Sequence, residues 1–195
     1  MKIFLAFIFL TTTILFAKPF VYTDYKYYDI YPTNKHKLED SMDASSPIAS
    51  FGSVRHGTVN WKIKYAYKRQ MKNGICSIAE VKTEVNILYT VPRLAKLHKS
   101  PEGTKKVFNR YYIILKDYLR KHSNFAVSAA NEIEEELIKI KPLNNDCELI
   151  KSDAKRVARA IIKKYKKKNK DYEIRTYEGF LEGVHAEKLL EIDRS

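Results

Sequence analysis

After residue 17 the sequence has no long apolar run, so nothing in that part of the chain can span a bilayer as a helix. No Cys directly follows the first apolar stretch, which argues against a lipid-anchored lipoprotein. There is no internal repeat and no nucleic-acid-binding motif. Cysteine is scarce, with two residues in all, Cys76 and Cys147. Acidic residues are outnumbered, 23 against 36 Lys and Arg, giving a formal net charge of +13.

What is present begins with "MKIFLAFIFLTTTILFAKP". An early Lys2, an uncharged run of about 14 residues from Ile3 to Phe16 and a small residue at Ala17 follow the order of a secretory signal peptide, since a bilayer span needs ~20. Residues 1–17 are therefore expected to be a cleaved leader, with a retained membrane anchor as the alternative. The mature chain, 18–195, is expected to form one domain and to be periplasmic or secreted. In that setting an even, small cysteine count favours one disulfide between Cys76 and Cys147, the alternative being two buried thiols. Such a loop is worth ~4 kcal/mol in the chain-entropy model. The excess charge is lysine, densest in "KKYKKKNK". Lys163, Lys164, Lys166, Lys167, Lys168 and Lys170 form either a patch for an anionic surface or a solvated helix end. Export argues against nucleic acid as a partner.

Residues 20–31 read as a strand, and residues 34–42 as a short helix. Val59, Trp61, Ile63, Tyr65 and Tyr67 alternate with polar residues, which marks a half-buried strand. Asn73-Gly74 is a strong hairpin signal. The return strand, 76–91, should stop at Pro92. Its apolar phase slips between Ile78 and Val81, which predicts a bulge. From Leu115 to Ile140 the apolar residues recur at steps of three and four, predicting a helix over 104–141, and a second helix starts near Asp146. The link between them is short, so they should pack antiparallel. The tail "DYEIRTYEGFLEGV" has no clear period and reads as irregular. Strands followed by helices give an α+β layout, with the strands expected to be antiparallel.

One segment of the long helix, "LRKHSNFAVSAANEIEEEL", sets His122 on the apolar stripe. An HExxH zinc-protease helix places Glu directly after the first His and a second His four residues on, on one face. Here Ser123 and Ala126 hold those places, and no HExxH occurs in the chain. A Ser123–His122 nucleophile pair is excluded because neighbours at i and i+1 point to different faces.

The strings "YYDI", "FGSVRHGTVNW", "CSIAEVKTEV", "LRKHSNFAVSAANEIEEEL", "DCEL" and "DYEIRTYEGFLEGV", in that order, resemble a family of bacterial exported proteins described as predicted secreted zinc-dependent proteases, domain of unknown function 922. The resemblance implies a zincin-like fold and supports the disulfide. It also implies metal positions: His122 as the first ligand, Ser123 where the catalytic Glu would stand, Ala126 for the second His, and Glu178 for a His of the tail. Three of those four positions depart from the family pattern. His122 is then either the remnant of a metal site, with Glu178 as a second ligand, or an ordinary buried histidine bonded to Glu178 with a raised pKa. His185 is a further imidazole that nothing in the sequence places. The reading is an exported, catalytically inactive protease-like protein that binds an unidentified protein or envelope component, with no resident cofactor. The alternatives are a zinc metallopeptidase with a non-standard site and a basic anionic-surface binder.

Overall fold

The computed structural model describes residues 18–50, 53–141, 143–144 and 147–192, so the expected leader lies outside the described residues. The elements in chain order are β1 (Phe20–Ile30), a 3-10 turn (Lys35–Lys37) leading into α1 (Leu38–Ser45), β2 (Ala49–Ser50), β3 (Ser53–Val54), β4 (Thr58–Lys72), β5 (Ile75–Leu94), α2 (Glu102–Ile138), β6 (Leu143–Asn144), α3 (Cys147–Arg175), a 3-10 turn (Phe180–Glu182) and α4 (Ala186–Ile192). The architecture is α+β, with a mixed sheet in the order β1-β5-β4. No helix among the described residues is long and apolar enough to cross a membrane.

β4 and β5 pair antiparallel from Thr58–Thr90 to Lys72–Ile75, joined by Asn73 (φ 52°) and Gly74 (φ 74°). Both turn residues take the left-handed conformation that Asn and Gly tolerate best. The register slips once, with Lys68 opposite Glu80 and Arg69 opposite Ile78, so Ala79 is the bulged residue inside the segment where the apolar phase moves.

Two expectations for the strands need correction. β1 is not antiparallel: it lies parallel to β5, from Phe20–Glu84 to Ile30–Leu94. Ile30 and Thr58 both sit at the same end of β5, opposite Leu94 and Thr90. The link through α1 therefore carries the chain from one edge of the sheet to the other, and the hairpin then inserts β5 between β4 and β1. β5 also passes Pro92 and ends at Leu94. β4 pairing ends at Thr90, so beyond it β5 has β1 as its sheet neighbour, and a strand edge tolerates a residue without N–H.

α2 covers one face of the sheet with Val107, Tyr111, Leu115, Leu119, Ile133 and Leu137, which are at most 1% exposed, against Val85 and Val91 of β5. Fully buried Ala126, Ala129 and Ala130 of α2 and Ala154 and Ala158 of α3 leave little bulk between the two helices. The pair is antiparallel: His122 meets Asn169, and Glu132 meets Lys164 nearer the connection. The buried Glu134 reaches the sheet, where it accepts from Thr83 N and Oγ1 on the stretch of β5 beyond the end of β1. Cys76 at the start of β5 is bonded to Cys147 at the start of α3, with Cα atoms 5.6 Å apart.

The tail is irregular only in part: its first residues, 171–175, are helical, and turns follow over 176–185. α3 runs through the whole lysine run to Arg175, because its inward stripe continues from Ile161 and Tyr165 to Tyr172. Lys164 pairs with Glu132, and Lys167 with Asp171, which reduces repulsion along the run. The chain then reverses at Tyr177, Glu178 and Gly179, all at positive φ, before the last turn and α4.

Candidate functional site

A cavity of about 480 Å³ opens between α2, the segment 54–59 and the end of α3. Its wall includes Arg55, His56, Tyr111, His122, Glu173 and Glu178. Two glycines allow the walls to meet. A Cβ on Gly57 would stand 2.9 Å from a methyl of Leu115, and one on Gly179 (φ 94°) would stand 3.2 Å from the Tyr118 ring.

His122 projects from the buried face of α2 and is 4% exposed. Its ring lies edge-on to Tyr118 and Tyr172, with centroids 4.6 and 5.1 Å away. Asn169 Oδ1 is 2.7 Å from Nδ1 and accepts its proton, which leaves the lone pair on Nε2. That Nε2 is buried without a hydrogen-bond partner. Burial lowers the pKa of His122, outweighing the Asn169 hydrogen bond that favours the charged form.

The expected contact with Glu178, and the raised pKa it would produce, are therefore corrected. The Glu178 carboxylate is bound by Arg55, whose Nη2 donates to Oε1 at 2.6 Å, and the other arm of the same guanidinium donates to Glu173. With the two arms of Arg55 on Glu173 and Glu178, the neutral imidazole is left to the amide of Asn169.

The other two motif positions do not face the cavity. Ser123 is buried, accepts from Tyr89 Oη at 2.7 Å and donates to Arg120 O at 2.8 Å. Ala126 is fully buried in the core and outside the cavity wall. His185 is also placed elsewhere: its Nδ1 is 3.8 Å from Glu39 Oε2. Among the described residues, Glu39, His185 and Glu187 bring three potential ligand atoms within 4.8 Å of one another, a group without His122.

Sequence reasoning gave no role to several members of the site. Arg55 and His56 stood inside the quoted string "FGSVRHGTVNW" without a role. Glu173 and Asn169 were hidden in the tail and the lysine run. His56 bridges Asp43 Oδ1 and Tyr111 Oη, each at 2.7 Å. Burial drives the Tyr111 hydroxyl well above the usual tyrosine range, and the His56 bridge holds the 54–59 segment onto α1 and α2.

The fold and cavity define an α+β protein with a polar pocket at the junction of its long helices and one sheet edge. The chain belongs to a family of bacterial proteins of unknown function, designated domain of unknown function 922, whose sequence profile matches residues 25–179. No curated protein and no solved structure matches the chain.

Proposed function

We propose that the protein is an exported, zincin-like relative of a protease that binds a ligand in its cavity and carries out no hydrolysis. The observation that carries this reading is the fate of the four motif positions. His122 and Glu178 line the cavity, and His122 keeps a buried Nε2 without a hydrogen-bond partner. Ser123 is spent on Tyr89 and the helix backbone, Ala126 has no donor, and Glu178 is held by Arg55. This donor set does not fit zinc, which takes three protein ligands in a catalytic site, and Ser123 offers no carboxylate at the motif's general-base position.

Export is the second part of the reading. The leader-like segment 1–17 and the Cys76–Cys147 disulfide support a periplasmic or secreted location and a mature start near Lys18. The test is direct. Protein purified from the periplasm is assayed for zinc content and for hydrolysis of an unstructured polypeptide with and without a chelator. The expected result is sub-stoichiometric zinc and no hydrolysis. Chelator-sensitive cleavage would establish the metallopeptidase alternative.

A further inference from the structure

We propose that two copies of the chain join edge to edge through β1, antiparallel about a two-fold axis at Tyr25. The inference goes beyond the cavity and stands apart from the non-catalytic reading. β1 forms one edge of the sheet, and among the described residues β5 is its sole strand partner. Its register against β5 is unbroken from Phe20 to Ile30, and no proline interrupts it. Natural edge strands are commonly short, bulged or blocked by proline, because an open row of N–H and C=O groups is a template for another strand. α2 lies over β5 and β4, which leaves β1 uncovered on its outer side. Phe20, Val21, Tyr22, Tyr25 and Tyr27 are each at least 40% exposed. A long straight edge with this much exposed apolar surface marks an interaction site.

The charges on the edge select its occupant. Asp24 and Lys26 are exposed and share a face, being two residues apart in a strand. Neither forms an ion pair among the described residues. A two-fold axis at Tyr25 sets Asp24 of each copy directly opposite Lys26 of the other, so both unmet charges are paired twice over. Tyr22 then stands opposite Tyr28, and Thr23 opposite Tyr27. An axis at Asp24 or at Lys26 would set like charges opposite, and so would a parallel, in-register pairing. The other free edge is β4. Pairing β1 with the β4 of a second copy would leave an open strand at each end and continue without limit, whereas β1 with β1 uses one surface twice and closes at two copies.

The test is sedimentation velocity of the oxidised mature protein, 18–195, at concentrations up to ~100 μM, which detects weak association. A monomer–dimer equilibrium is expected. Asp24→Lys and Lys26→Asp should each raise the dissociation constant about tenfold, because each turns two attractive contacts into two repulsive ones. Lys26→Asp also lowers the net positive charge, which by itself favours association, so weakening by this variant is local in origin. An equimolar mixture of the two variants should regain dimer, since a heterodimer has opposite charges at both contacts. The double variant Asp24→Lys/Lys26→Asp should match the parent. Thermal unfolding of each variant separates loss of the interface from loss of the fold. A parent that stays monomeric, a dimer indifferent to both substitutions, no recovery in the mixture of folded variants, or assembly beyond two copies would overturn the proposal. None of these results bears on zinc content or hydrolysis, so the two readings fail separately.

Discussion

His122 is the residue through which sequence and structure can be compared most closely. Its place on the apolar face of the helix was legible, because that needs only the 3.6-residue period. Its partner was not. Asn169 lies 47 residues away inside a run of lysines, where composition suggests nothing but solvated charge. The same is true of Arg55, which finds Glu173 and Glu178 at separations of 118 and 123 residues. The pH behaviour follows from the corrected contact. With the folded pKa below the unfolded 6.5, the unfolded chain takes up a proton first as pH falls. Stability should therefore drop as pH is lowered through and below 6.5, level off beneath the folded pKa, and be fully present above neutrality. Urea unfolding at pH 7.5 and 5.5 should show this drop, and His122→Gln should show a smaller one. Ala126→His should bring no zinc affinity. It forces a ring into a packed core at a cost of ~1–3 kcal/mol, and zinc titration with thermal unfolding checks both statements.

At the scale of elements, the hairpin, the bulge and the two long helices were legible because each has a local signature: Asn-Gly, a phase slip, and a sustained period ended by turn-forming sequence. The parallel direction of β1 was not, since either direction buries the same side chains and only the path of the intervening chain decides. The length of α3 was hidden by charge, its stripe thinning to Tyr165 and Tyr172 across the lysine run. The disulfide joins the second residue of β5 to the first of α3 and spans a sequence separation of 71. Replacing both cysteines by serine should cost ~4 kcal/mol, read from denaturant midpoints of the oxidised parent and the variant. Gly179→Ala should also destabilise, by ~1–3 kcal/mol, because it combines a left-handed backbone with contact against Tyr118. A Tyr118→Leu background should reduce that penalty.

For the whole molecule, the net charge of +13 and the acidic cavity act at different ranges. Part of the lysine run is turned to internal use: Lys164 and Lys167 hold carboxylates, and Lys168 lies over the Tyr165 ring, 4.6 Å from its centroid. The anionic-surface reading is correspondingly the weaker one. Co-sedimentation with vesicles rich in anionic lipid should be detectable at low ionic strength and largely lost at about 0.15 M salt, where screening acts within ~8 Å. Retention at that salt would restore the surface-binding role.

The cavity is closed by the chain's two far-separated arms. Arg55 and Gly57 belong to the first third of the sequence, Glu173 and Glu178 to its last tenth or so. A ribosome delivers these segments in order, N-terminus first. The sheet and α2 can be complete while the pocket still lacks a wall, and a chain cut short before Glu173 can retain its core pattern without ever possessing the site. A ligand held there would report on the full-length product, because the wall is complete only once the end of α3 has joined the first strands.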